Sequence, residues 1–409
     1  MSERANLLDG LWRNRQFLRL WIASLVDALG SKVTATAVPL TAAINLGASP
    51  PQMATLVVAG QLPDVLFGLP AGSWIDRGRH RLFLAGSDAG RALLLGVIPL
   101  AAWMGMLSMA ILLIVTFFAG VLSVFSSVAS VAVLPSVVRS DQIVEANAKL
   151  SVTGSMVSLA GPGMAGGLIQ VLSAPKAILF DAVSNAVSAL FLRRVGAVGK
   201  SSDRQHSLIR DIKEGVRELI ETPVLRALTI SSAVFAVGLA MNATVLMLYL
   251  TRELGLNPAT IGLYLATGGV GTLLGSFLAS RVSSRIGMGP AIIGGTLAEA
   301  TAALAIPLSP LLADPVPLLV AGQVLNGVGI SVYSINHISL RQRIVRPEFL
   351  GRITAGRRFL TFSVAPIGAV LGGWMGEAFG FASVLLGTAG LLFAGTAVTW
   401  ASPVRKIQH

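Results

Sequence analysis

The 409-residue sequence contains no cysteine, and only 12% of it is charged. The first absence excludes disulfides and thiolate metal sites. The second excludes an ordinary soluble domain, in which about a quarter of the residues are charged. Catalytic signatures are missing as well. No His-Glu-x-x-His metal motif occurs, and Gly196-Ala-Val-Gly199-Lys200-Ser201 ends like a phosphate-binding loop but has Arg194 where the first glycine is required. No enzyme chemistry, cofactor, metal site or direct nucleotide drive is therefore expected.

Apolar residues take the place of the missing charge. They make up 54% of the chain, mean hydropathy is +0.75, and they gather into twelve long runs. The runs are 16–44, 52–73, 82–104, 108–134, 144–172, 175–193, 224–250, 258–281, 290–309, 316–339, 352–378 and 381–400. About 20 apolar residues suffice to cross a bilayer as a helix. The sequence thus predicts an all-α membrane protein with twelve transmembrane helices in two six-helix bundles.

The net charge of +12 would suit nucleic acid, but the placement of the charges excludes that partner. Of 31 Lys and Arg, Lys176 and Arg252 fall on the outer side and Lys32 lies within the first span. The others sit at the termini, in even-numbered loops, or at the inner ends of spans. This is the positive-inside bias. It predicts a multi-pass protein of the inner (cell) membrane with both termini cytoplasmic, in contact with the lipid bilayer; a monomer is expected.

Polar residues recur at helical spacing on particular spans. Span 1 carries Ser24, Asp27, Ser31 and Thr34, with Lys32 off the stripe, and span 4 carries Thr116, Ser123, Ser127 and Ser130. Span 7 has Ser231, Gly238, Asn242 and Tyr249; span 10 has Gly322, Asn326, Tyr333 and His337. Stripes at the same place in each three-span unit predict a cavity lined by Ser31, Thr34, Ser123, Ser127, Asn242, Asn326 and Tyr333. Charges inside spans are costly and call for a reason. Asp27, Lys32 and Asp64 are the expected proton- or substrate-coupling residues, with a Lys32–Asp64 ion pair as the structural alternative. Asp88 and Arg91, one turn apart on span 3, read as a local pair. Asp181 and Glu299, in spans 6 and 9, read as structural or self-paired. Span 5 contains Gly161-Pro162 and Gly166-Gly167, which predict a bend or a close helix crossing.

Residues 196–222 change character: a polar stretch is followed by Leu208, Ile209, Ile212, Val216, Leu219 and Ile220 on one helical face. This predicts a cytoplasmic linker whose amphipathic helix lies on the membrane surface. It divides a bundle at 1–195 from a bundle at 223–409. The halves read as a parallel repeat, since Val138-Arg139-Ser-Asp141 parallels Val345-Arg346-Pro-Glu348 and Gly72–Ile75 is echoed by Gly275–Leu278.

Between spans 2 and 3 stands Gly72-Ser-Trp-Ile-Asp76-Arg77-Gly-Arg79-His-Arg81. Gly72, Asp76, Arg77 and Arg81 fall on the loop pattern of the major facilitator superfamily. Leu62-Pro63, Asp88-x-x-Arg91, Leu134-Pro135 with Ala146-Asn147, Gly161-Pro162, Glu214-Gly215 and Leu350-Gly351-Arg352 extend the resemblance over the whole chain. They point to the branch with enterobactin-exporter-like and macrolide-efflux-like proteins. The resemblance implies two bundles rocking about a central site lined by spans 1, 4, 7 and 10. It also implies a conformational switch at Gly72, Asp76, Arg77, Arg81, Asp88 and Arg91, with Asp76 facing the inner start of span 11. The chain departs from the antiporter pattern in having no arginine in span 4 and three residues between Pro162 and Gly166. The expected function is export of a small organic compound (a drug, secondary metabolite or siderophore) in exchange for protons. The alternatives are an uncoupled facilitator or importer and, from another class, a membrane sensor or scaffold.

Overall fold

The computed structural model describes residues 11–68, 70–71, 80–193, 208–346 and 349–408, and all regular elements among them are helical. The first six spans are α1 (Arg15–Leu40), α2 (Pro50–Phe67), α3 (His80–Trp103), α4 (Met109–Val137), α5 (Ile143–Leu172) and α6 (Ala174–Leu192). A shorter helix, α7 (Leu208–Glu221), precedes α8 (Pro223–Leu248), α9 (Pro258–Ile286), α10 (Met288–Leu308), α11 (Val316–Ile344), α12 (Leu350–Phe379) and α13 (Phe381–Trp400). Ten of these helices are long and apolar enough to cross a membrane. The two that fall short on composition, α1 and α2, contain the in-span charges Asp27, Lys32 and Asp64. Large apolar side chains such as Leu93, Val171, Phe277 and Trp374 lie exposed along the helices. Water would not tolerate that much open apolar surface, and lipid covers it.

The chain divides into two compact units, residues 1–46 with 62–205 and residues 47–61 with 206–409. The passage from one to the other thus falls inside α2. In the first unit α6 packs on both α1 and α3, α3 also packs on α4, and α1 packs on α5. In the second, α11 packs on α9 and α10, while α8 packs on α12 and α13. The N-terminal end of α2 joins that second packing. Pro50 and Ala54 lie against Gly373 of α12, and Arg252 donates from Nη2 to the Ala48 carbonyl at 2.8 Å.

A repeat that the sequence reading passed over shows in the backbone. α1 and α8 each run into a π-helical turn, Thr41–Asn45 and Tyr249–Glu253. Each turn leads into Leu-Gly-x-(Ser or Asn)-Pro, at Leu46–Pro50 and Leu254–Pro258. Gly47 and Gly255 take left-handed φ values of 58° and 61°, a region that glycine enters without steric cost. The two segments are offset by 208 residues, close to the 207 between Val138 and Val345.

α7 forms where its amphipathic pattern predicts, but protein covers it rather than membrane alone. A Cβ on Gly215 would collide with the Arg352 carbonyl, and one on Gly356 would fall 3.0 Å from the Val216 nitrogen. Glu214 accepts from Arg352 Nη1 at 2.7 Å, and Leu219 is buried with Leu225, Val345 and Ile353. The Glu214-Gly215 and Leu350-Gly351-Arg352 motifs, remote in sequence, are thus the two sides of one contact.

Candidate functional site

Within the first unit, α1 turns Asp27 and Ser31 towards α3. Arg91 donates from Nη1 to Asp27 Oδ1 at 2.7 Å and from Nη2 to Ser31 Oγ at 2.9 Å. The pair is well enclosed, with side-chain exposure of 8% for Arg91 and 30% for Asp27. Asp88 does not pair with Arg91 in the way its spacing suggested. Its Oδ1 accepts from Ser126 at 3.0 Å and its Oδ2 from Ser188 at 2.6 Å. A third carboxylate, Asp181 of α6, accepts on Oδ1 from Ser184 at 3.2 Å and Asn185 at 2.7 Å, and Thr34 of α1 lies beside it as a further donor. Arg91 lies within electrostatic range of all three acids. Gly30 makes this arrangement possible, because any Cβ there would strike Ser184 and Asp181.

A cavity of about 300 Å³ opens beside these groups. Asp27, Asp88 and Arg91 line it, with Ser24, Ser123, Ser126, Ser127, Ser130 and Ser188. Arg91 is a forked donor able to hold two oxygens at once, and here it ties Asp27 and Ser31 of α1 to α3. The polar serines keep the desolvated carboxylates hydrogen-bonded.

The sequence-predicted residues distribute unevenly over this geometry. Asp27 is central, but its partner is Arg91. Lys32 makes no ion pair with Asp64 among the described residues. Its stem instead lies across α5 at Gly161, where a Cβ would fall 2.8 Å from Lys32 Cβ and Cγ. The Gly161-Pro162 segment therefore serves as a close crossing, in an α5 that runs unbroken through Pro162 to Gly166, Gly167 and Leu172. Asp64 does not line the cavity. Ser123 and Ser127 do, whereas Ser31 is taken by Arg91 and Thr34 lies outside the lining. Ser126 and Ser188 were missed. A signal for the latter existed, because Asp181, Ser184, Asn185 and Ser188 recur at helical spacing as regularly as the stripe on α1.

The second unit has its own cavity, about 120 Å³, lined by Asn242, Gln323, Asn326, Tyr264 and Thr388 among apolar neighbours. Tyr333 is not in that lining. Its hydroxyl lies 2.9 Å from Ser232 Oγ, and its ring meets His337 at 5.2 Å between centroids. Gly72, Asp76 and Arg77 lie outside the described residues, and of Arg81 only the helical backbone is described.

The pattern of the transmembrane secretion effector family matches residues 10–409. The uncharacterized MFS-type transporter YvqJ of Bacillus subtilis is 22% identical over 92% of this chain and 89% of its own. Macrolide efflux protein A of Streptococcus pyogenes is 24% identical over 89% and 90%. The MFS-type transporter y4rN of Sinorhizobium fredii is 25% identical, and there the match spans only 59% of either chain. Among solved structures, a point mutant of the nucleoside transporter NupG superposes with a TM-score of 0.79 over 94% of this chain and 99% of that one, at 13% identity. A bacterial homologue of the iron transporter ferroportin gives 0.76 over 95% and 98%, at 18% identity.

Proposed function

The chain belongs to the transmembrane secretion effector family, within the major facilitator transporters, and from that premise we propose that it exports a small organic compound across the inner membrane in exchange for protons. The observation that carries the reading is the Asp27–Arg91 contact, at 2.7 Å, on the wall of a polar cavity. Three carboxylates lie within electrostatic range of that one guanidinium, so the cluster has acidic groups to spare for a proton. A proton on Asp27 removes the charge that holds Arg91. The guanidinium is then left to Asp88, on its own helix, and to Asp181 on α6. The exchange loosens α1 from α3, which is the kind of two-state element that proton and substrate can both bias. A potential of about 100 mV contributes about 2.3 kcal/mol per charge moved, or roughly fiftyfold accumulation for one proton. Export as the direction, a cytoplasmic site for both termini and a monomeric unit complete the proposal. The secretion family and the macrolide efflux relative support the direction.

The test uses inverted membrane vesicles, a pH gradient, and a compound panel that begins with a macrolide. Asp27→Asn is expected to abolish gradient-driven accumulation while leaving downhill substrate exchange. Asp88→Asn is expected to reduce it, and Asp64→Asn to leave it unchanged. Full coupling in both Asp27→Asn and Asp88→Asn would place the proton elsewhere. The second reading, an uncoupled facilitator, draws on the same short contact as a purely structural clasp. It predicts that wild-type transport ignores the pH gradient and that Asp27→Asn loses thermal stability only.

A further inference from the structure

In the second unit two arginines carry buried guanidinium nitrogens that no described side chain meets. Arg341 lies in the last turn of α11, and Arg357 lies two turns into α12. Nε and Nη1 of Arg341 and Nε of Arg357 are buried and form no hydrogen bond. The two guanidiniums also sit within electrostatic range of each other and of His337. Like charges repel more strongly as water is excluded, and each unmet buried donor is costly. Arginines that serve topology alone reach water or lipid phosphate. Arg343, Arg346 and Arg358 are exposed, whereas Arg341 and Arg357 are only partly exposed and the three nitrogens named above are buried.

The surroundings supply further donors. His337 is one turn before Arg341 on α11, and Thr361 one turn after Arg357 on α12. Thr361 Oγ1 is also buried without a partner. We propose that Arg341 and Arg357 form a binding site for a carboxylate or phosphate group, with Thr361 and His337 as additional donors. A guanidinium fork matches either anion, and its arrival would supply the missing acceptors and offset the repulsion. That this anion is cargo rests on the transporter reading above; that it binds does not.

The experiment titrates the purified full-length protein with salicylate and with inorganic phosphate. One arm uses a neutral detergent, and the other uses nanodiscs of phosphatidylcholine with or without phosphatidylglycerol. Saturable binding is expected, weakened about tenfold or more in Arg341→Gln and in Arg357→Gln, as loss of a charge-assisted hydrogen bond implies. Arg343→Gln, the exposed neighbour, should bind as wild type. Binding of the soluble probes identifies a free solute as the ligand, and binding seen only with phosphatidylglycerol identifies a headgroup. If the glutamine variants do not fold, Arg341→Lys and Arg357→Lys keep the charge and lose the fork, and each should still bind more weakly than wild type. Equal affinity in the Arg341 and Arg357 variants, equal loss in Arg343→Gln, or no binding in any arm would overturn the site. No gradient is involved, so failure here and failure of proton coupling at Asp27 are separate results.

Discussion

The two units use similar helical frames to enclose opposite charge. In the first, Asp27, Asp88 and Asp181 gather around Arg91, and each is held by hydrogen bonds from another side chain. In the second, Arg341 and Arg357 each carry buried donors without a hydrogen bond, and Glu299 of α10 is buried with Oε1 unmet. A cluster whose acids have a counter-charge fixes helices to one another, whereas like charges with none among the described residues are poised for a partner from outside. Removing the centre of each cluster should therefore have opposite consequences. Arg91→Met leaves buried carboxylates without their counter-charge, a change that typically costs about 3–5 kcal/mol. Asp27 is 30% exposed, so the lower end of that range applies. Arg341→Met removes an unpaired charge and should leave stability unchanged or raised. Thermal unfolding of the detergent-solubilised variants reads both. Equal losses would erase the distinction between the units.

A second contrast lies within the first unit and is smaller. Gly30 is where α1 admits Asp181 and Ser184, so Gly30→Ala forces a buried, hydrogen-bonded group to move. Overpacking of that kind costs about 1–3 kcal/mol. Gly86 of α3 has open space where a Cβ would go, and Gly86→Ala should stabilise its helix by about 0.5–1 kcal/mol. If the unfolding temperatures of the two variants move in the same direction, the close approach at Gly30 does not support the acid cluster.

The fold was legible because lipid imposes a simple rule: long apolar runs with charge only between them. The twelve runs, the in-span acids and the repeat all follow from residue order. The partners of those acids were not legible, because they depend on which helices touch. Asp88 and Arg91 lie three residues apart and look like a pair, yet α6 and α4 offer Asp88 two hydroxyls while α1 offers Arg91 a carboxylate. A Lys32–Asp64 pair was the structural alternative, but the Lys32 stem lies over Gly161. The polar stripe on α6 was regular and informative, and Asp181 on it was read as peripheral because of where the resemblance places span 6. The unpaired state of Arg341 and Arg357 was hidden by the topology rule itself, which explains every inner arginine in the same way.

The smallest expected effect concerns α7, where charge and shape act at one contact. Glu214 and Arg352 meet at 2.7 Å with side-chain exposures of 35% and 31%. Water screens a pair that open, and such pairs contribute about 0.2–1 kcal/mol. The contact at Gly215 is of another kind, because its α-carbon rests on the Arg352 carbonyl and backbone cannot yield as a side chain does. α7 should therefore be held on α12 by fit more than by charge. Glu214→Gln is expected to lower the unfolding temperature only slightly, and the difference should vanish in about 1 M salt, where the Debye length falls to about 3 Å. Gly215→Ala should cost more, and salt should not change that cost. Arg217 and Glu221, fully on the surface of the same helix at 2.6 Å, provide the reference: Glu221→Gln should leave unfolding where it is. A Glu214→Gln loss that exceeds the Gly215→Ala loss, or that persists at high salt, would reverse the order and make the ion pair the main attachment of α7 to α12.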